Sequence, residues 1–132
     1  MTYKFLISLA FLPIVVNATD WTKLGLGDSD VSTYVDYSSL KVNGNMRRVW
    51  LLIDRRTPHE NGWLSAKVFR EIDCQEDQTR IVSFITFTGE MGKGAVVSSA
   101  EGQKGWRSIA PETANSALER AICSEPTNEK HN

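Results

Sequence analysis

The sequence predicts an α+β domain: an antiparallel sheet of about five to six strands, with a C-terminal helix packed on one face and one disulfide. Three observations indicate this fold. Apolar and polar residues alternate along several segments, the apolar spacing changes to that of a helix near residue 114, and the chain has two cysteines. An apolar leader ahead of these segments indicates export to an oxidising compartment, where cysteines pair.

Export is indicated by the first residues of the chain. Lys4 supplies positive charge, and 5–16 is an apolar run that is too short for a membrane-spanning helix and contains Pro13. Small residues at positions −3 and −1, Val16 and Ala18, predict cleavage after Ala18, so we expect 1–18 to be a signal peptide. No cysteine stands directly after the run, so no lipid anchor is expected, and the mature chain is predicted to be periplasmic or secreted.

The charge balance argues against some classes of partner. The chain has 15 basic and 16 acidic residues and a formal net charge of −1. A nucleic-acid-binding domain needs a basic patch, so no nucleic acid is expected as a partner. Beyond the leader, no apolar run is long enough to span a bilayer, so no membrane span is expected.

Five segments have the pattern or composition of strands. Met46–Arg55 is apolar on both faces, which is typical of a central strand or one covered on both sides. Asn43-Gly44, just before it, is a signal for a two-residue hairpin turn. The five segments are Val31–Tyr37, Met46–Arg55, Trp63–Cys74, Arg80–Thr88 and Ala95–Glu101.

A helix is predicted after the last strand. Pro111 and Glu112 suit its first turn, and Pro126 ends it, which leaves 127–132 as a polar, disordered tail. The apolar stripe of this helix is formed by Ala114, Ala117, Leu118, Ala121 and Ile122.

The two cysteines, Cys74 and Cys123, are predicted to form a disulfide. They lack the close spacing of a zinc site, and the two histidines, His59 and His131, do not complete a ligand set, so no metal is expected. Cys74 ends a strand on its apolar face and Cys123 ends the helix, so the bond would pin the helix across one face of the sheet. Closing a loop of this size stabilises a domain by about 4 kcal/mol.

No catalytic residue is assigned. His59 lies in a turn segment, and no nucleophile motif of the GxSxG type occurs. The glycine-rich segment 89–94 (GEMGKG) lacks the ending of a phosphate-binding loop and is interpreted as a flexible hairpin loop. Carboxylates at strand ends are interpreted as solvated, so the protein is predicted not to be an enzyme; an unrecognised hydrolase is the alternative.

The sheet face opposite the helix is the candidate interaction face. Large apolar residues on it have no predicted cover, and exposed apolar patches mark interaction sites. Either this face binds a protein partner, a second copy or a flat apolar ligand, or the segment around Trp21 or curling of the sheet covers it. The residues assigned to it are Trp50, Leu52, Phe84 and Tyr34.

Short motifs in a fixed order add a resemblance to a known family. They are Tyr34-Val35-Asp36, Ser39-Leu40-Lys41, Arg48-Val49-Trp50, Ser65-Ala66-Lys67, Asp73-Cys74-Gln75, 106–111 and Ala121-Ile122-Cys123. With both cysteines in place, the chain resembles the surface-adhesin protein E family, small exported proteins of Gram-negative bacteria, over nearly all of the mature chain.

The resemblance implies that 19–126 is one protein E-like α+β domain. For the name-giving adhesin it also implies attachment to host proteins such as vitronectin and laminin, dimerisation and haem binding. The residues themselves call for no cofactor, so haem is implied by resemblance only. The predicted function is an exported binding module, with a periplasmic structural or envelope-stress protein without a small ligand as the alternative.

Overall fold

The computed structural model of the protein describes residues 2–4, 7–8, 10–11, 19–24, 29–102 and 105–124. The predicted cleavage site after Ala18 and the predicted tail, 127–132, lie outside the described residues. No helix among the described residues is long and apolar enough to cross a membrane.

The described residues form an open antiparallel sheet of seven strands, which confirms the predicted fold class. Strands β1 to β6 lie in sequence order across the sheet, and the short β7 pairs with β5. Two strands of two residues each, β1 and β7, add to the five that the pattern predicts. The strands are β1 Thr22–Lys23, β2 Val31–Asn43, β3 Met46–Arg55, β4 Ser65–Asp73, β5 Gln78–Phe87, β6 Val96–Glu101 and β7 Arg107–Ser108.

The turn between β2 and β3 falls one residue later than the sequence predicts. Asn43 pairs with Met46, so the loop residues are Gly44 and Asn45. Gly44 has a φ of 58°, a left-handed conformation that glycine adopts without steric cost.

One face of the sheet, the helix face, carries the main core. Val35, Leu51 and Val68 lie opposite one another on β2, β3 and β4, and all three are buried. Helix α1, Ala114–Cys123, adds Leu118 and Ile122, each with 0% of its surface exposed. Full burial of a leucine or isoleucine side chain stabilises a fold by about 1.5–3 kcal/mol, so these two residues anchor the helix.

Helix α1 begins later than predicted. Thr113 is its N-cap: its side chain accepts the Ser116 N–H at 3.2 Å, and the Ser116 hydroxyl accepts the Thr113 N–H at 3.0 Å. This reciprocal pair satisfies two N–H groups that the first turn leaves without helical partners. Pro111 and Glu112 therefore precede the helix, and Glu112 has a φ of 59° that no helix would allow.

The predicted disulfide is confirmed. Cys74 and Cys123 are bonded, with their Cα atoms 5.7 Å apart. Beside it, the side chain of Arg47 is buried and donates from Nε to the Ile122 carbonyl, 3.1 Å away, in the last turn of the helix. The C-terminal end of α1 is thus held to the sheet by one covalent bond and one charged hydrogen bond.

A β-bulge in β5 overturns one predicted placement. Phe69 pairs with Ser83 and Arg70 with Ile81, so Val82 is an extra residue that reverses the alternation of side chains. Phe84 therefore lies opposite Val68 and packs against the main core. The prediction that Phe84 shares the face of Trp50 is wrong.

Glu119 of the helix gives the fold a pH dependence. Burial of its carboxyl, and then the charge and hydrogen bonding of the neighbouring Asp77, raise the pKa of Glu119, while Arg120 lowers it. Because the folded state prefers the protonated form, this group stabilises the fold below its ordinary pKa and ceases to do so as the pH rises through the raised value.

We therefore expect Glu119→Gln to melt a few degrees higher than the original chain at pH 7, and the difference to vanish near pH 4. Thermal unfolding of both proteins between these pH values measures it. Glu60→Gln, at an exposed position in a turn, is the matched control. A Glu119→Gln protein that melts lower at pH 7 would contradict the prediction.

Candidate functional site

The face opposite the helix, which we call the second face, is built by side chains that alternate with the core. Tyr34, Leu52, Lys67 and Ile85 lie in one row across β2 to β5. The next row consists of Asp36, Trp50, Phe69 and Ser83. Directly opposed side chains in a sheet are in contact, so each row acts as a unit.

Aromatic side chains dominate the middle of the second face. Trp50 stacks on Phe69 with ring centroids 5.0 Å apart and an interplanar angle of 23°, and both residues are half-buried. Trp21, from the segment that leads into β1, lies beside Trp50 on the second face. Trp21 and Trp50 border a solvent-open concavity of about 290 Å³, which is lined by Thr19, Trp21, Asp36, Trp50, Lys67 and Ile85.

Leu52 lies on the second face but is fully buried. The 3₁₀ turn Glu90–Gly92 covers this part of the face. The Met91 N–H donates to Asp54 Oδ1 at 2.9 Å, and the Gly92 N–H donates to the Ser65 hydroxyl at 2.8 Å. The segment interpreted as a flexible loop is therefore a hydrogen-bonded cover.

This cover also requires glycine at position 92. Gly92 has a φ of 75°, and a Cβ there would lie 2.8 Å from Cε of Lys67. Of the four residues assigned to the candidate interaction face, Trp50 and Tyr34 are half-buried on the second face, Leu52 lies beneath the cover and Phe84 is on the helix face.

A charged cluster lies at the other end of the second face. The Glu71 side chain is only 4% exposed; its Oε2 accepts from Nε of Arg48, and its Oε1 accepts from Nε of Arg80 at 2.8 Å. The Arg80 guanidinium lies 4.4 Å from the ring centre of Trp106. A second concavity of about 360 Å³ opens beside this cluster, lined by Lys41, Asn43, Met46, Arg48 and Glu71.

The prediction that carboxylates near strand ends are solvated is wrong for Glu71, and this cluster was not predicted. The alternation of side chains along β3 and β4 already indicated that Arg48 and Glu71 share a face with the aromatic residues. Arg48 is two residues from Trp50 on β3, and Glu71 is two residues from Phe69 on β4, so both belong to the second face.

The contacts of His59 are with residues of its own turn segment. Its ring stacks on Trp63 with centroids 5.1 Å apart, and its Nδ1 accepts the Asn61 N–H at 3.2 Å. Within the described ranges, no group of three or more His, Cys, Asp or Glu residues could hold a metal ion. That the protein is not an enzyme stays a prediction of the sequence.

The fold defines the class of protein: a small α+β domain with an open antiparallel sheet, one helix and one disulfide. The chain belongs to the surface-adhesin protein E family, whose model matches residues 21–124. This is a family of adhesins and not of enzymes, and membership supports an exported, adhesin-like binding protein.

Solved structures of protein E from Haemophilus influenzae have the same fold. One, of the selenomethionine form, is 16% identical with a TM-score of 0.61, and the match covers 82% of this chain and 92% of that one. A second, from non-typeable H. influenzae, is 16% identical with a TM-score of 0.55, and covers 86% of this chain and 81% of that one. A search of curated proteins found no match.

Proposed function

We propose that this protein binds extracellular host proteins through the second face of its sheet, with the Trp50 concavity as the centre of the contact. The single observation that carries this proposal is an open concavity lined by the half-exposed rings of Trp21 and Trp50, with Phe69 stacked on Trp50. Tryptophan is one of the residue types enriched among the energetic centres of protein interfaces.

The location of the helix favours the second face over the helix face. Helix α1 and the disulfide cover the helix face, and Val35, Val49 and Ile72 there have 0% exposure. Among the described residues, the turn Glu90–Gly92 lies over Leu52 on the second face, while Trp50 and Phe69 beside it stay half-exposed. A partner therefore meets aromatic rings on one face and a packed helix on the other.

The form of the concavity favours a side chain of a protein over a flat apolar ligand. At about 290 Å³ it is at the lower limit of the usual size of small-molecule sites. Asp36 and Lys67 contribute charged groups to its lining, which resembles the polar rim and apolar centre of a protein interface.

We expect Trp50→Ala to weaken binding to immobilised laminin or vitronectin, the host proteins that the family resemblance implies, by about tenfold or more. Surface plasmon resonance measures the change, and circular dichroism confirms that the variant is folded. Tyr37→Ala removes an aromatic residue, 41% exposed, that does not line the concavity, and serves as the control.

Equal binding by Trp50→Ala and the original chain would contradict the proposal. Binding that is lost equally in Tyr37→Ala would also contradict it, because the effect would then not depend on the concavity.

A further inference from the structure

The two concavities of the second face adjoin each other along β3. Trp50 lines the apolar one, and Arg48, two residues earlier on the same strand and face, lines the other. We call the group Lys41, Arg48 and Arg80 around Glu71 the cationic end. Neither the family match nor the likeness of fold assigns a role to this group.

We propose that the second face binds an extended protein segment in which an apolar side chain and a carboxylate are two residues apart. The apolar side chain enters the Trp50 concavity, and the carboxylate is bound by Lys41 and Arg48 at the cationic end. This inference rests on the proposed function and specifies the chemistry of the partner.

The charge of the cationic end supports a single anionic group. Among the described residues that line the Arg48 concavity, Glu71 is the one carboxylate, and both of its oxygens already accept hydrogen bonds from arginines. Arg48 uses Nε for that bond, which leaves its two terminal nitrogens out of it, and its side chain is 45% exposed. Three cations around one carboxylate leave an excess of positive charge at this end of the second face.

Lys41 completes the site from the neighbouring strand. It pairs with Arg48 in the register of β2 and β3, is exposed, and makes no ion pair with any described residue. An arginine and a lysine that converge on one cavity are a suitable arrangement for a carboxylate.

The spacing of the two concavities supports an extended segment. Residues i and i+2 of a strand lie on one face about 6.5–7 Å apart, and this separates Arg48 from Trp50. An extended peptide has the same repeat, so side chains at its positions i and i+2 meet both concavities at once.

The distribution of acidic groups argues against a polyanion such as a sulfated glycan. Asp36 lies in the lining of the Trp50 concavity, and Asp54 lies on the same face of β3 further along. A chain with many negative charges would be repelled there, and the protein has a net charge of −1. One carboxylate beside one apolar group avoids this repulsion.

Three terminally blocked peptides test the inference: Gly-Phe-Ser-Glu-Gly, its glutamine analogue Gly-Phe-Ser-Gln-Gly, and the shifted peptide Gly-Phe-Glu-Ser-Gly. Titration is followed by the NMR signals of the Trp50 indole and the Lys41 amide. We expect the first peptide to bind about fivefold more tightly than the other two at low salt, and this preference to decrease as salt is added.

Lys41→Glu is expected to abolish the preference for glutamate while leaving the Trp50 indole shift in place. Arg56→Glu makes the same change of charge at an exposed position just after the far end of β3 and is expected to keep the preference. The inference is overturned if the three peptides bind equally, if Lys41→Glu keeps the preference, or if heparin binds and displaces the first peptide.

These outcomes are separate from a failure of the proposed function. Peptides that bind equally and still shift the Trp50 indole remove the role of the cationic end and leave the binding face intact. The proposed function fails in a different assay, the surface plasmon resonance experiment, if Trp50→Ala binds immobilised laminin and vitronectin as well as the original chain does.

Discussion

Removal of the Cys74–Cys123 disulfide is expected to lower the free energy of unfolding by about 4 kcal/mol and the melting temperature by roughly 10–20 °C. The bond closes a loop between residues 49 apart in the sequence, so breaking it restores much chain entropy to the unfolded state. This is a large share of the roughly 5–15 kcal/mol that stabilises a typical domain.

The helix is the element that depends most on this bond. Helix α1 has 10 residues, and an isolated helix of that length is marginal in water. It buries only Ser116, Leu118 and Ile122, so few contacts remain to hold it once the cross-link is broken. We expect its amides to lose hydrogen-exchange protection before those of β3 and β4.

The measurement compares thermal unfolding of the original chain with and without reductant, and of the double variant Cys74→Ser/Cys123→Ser. The double variant is expected to melt with the reduced chain and to be unaffected by reductant, which controls for other effects of the reagent. An unchanged melting temperature after verified reduction would show that the bond adds nothing to the fold.

The parts of the fold that the sequence predicts are those fixed by local pattern. Alternation identified β3 and placed Trp50 opposite Val49 and Leu51, because the side-chain period of a strand does not depend on its partners. The pairing of Cys74 with Cys123 could be predicted because two cysteines of an exported protein ordinarily form a disulfide in an oxidising compartment.

The parts that the sequence does not predict depend on contacts between distant segments. A β-bulge leaves no mark in the alternation of β5, so Phe84 was assigned to the wrong face. The cover over Leu52 depends on hydrogen bonds from Met91 to Asp54 and from Gly92 to Ser65, and no local pattern in a glycine-rich segment indicates such bonds.

Arg47 is an intermediate case, in which a signal was present. It is two residues before Val49 on β3, so it lies on the same face as Val49, Leu51 and Ile53. This is the helix face, where a charged residue is unexpected. The structure explains it: Arg47 is 2% exposed and lies at the C-terminal end of α1, where the helix dipole favours positive charge.

Arg47→Met is expected to lower the free energy of unfolding by about 2–3 kcal/mol. Methionine keeps most of the length of the arginine side chain, so it leaves only a small cavity. The loss of stability therefore arises mainly from the missing hydrogen bonds. Arg47 also donates to the Gly44 carbonyl at 2.6 Å, but Gly44 is exposed and water can replace that bond. The Ile122 carbonyl belongs to a fully buried residue, so leaving it unpaired is the larger cost.

Urea unfolding of Arg47→Met measures the change, and Arg56→Met, at an exposed position, is the matched control with an expected effect within about 0.5 kcal/mol. Arg47→Lys keeps the charge but has one nitrogen in place of a fork, so it is expected to recover only part of the loss. A loss in Arg56→Met equal to that in Arg47→Met would show that the Ile122 bond is not its cause.

A double-mutant cycle distinguishes a role at the helix end from a general contribution to the core. Arg47 and the disulfide hold the same turn of α1, so the cost of Arg47→Met is expected to fall in the Cys74→Ser/Cys123→Ser background, where that turn is already loosened. Additive losses would instead place the effect of Arg47 in the β2–β3 hairpin, through its bonds to the Gly44 and Met46 carbonyls. The presence or absence of coupling therefore shows which of its partners gives this buried arginine its stabilising role.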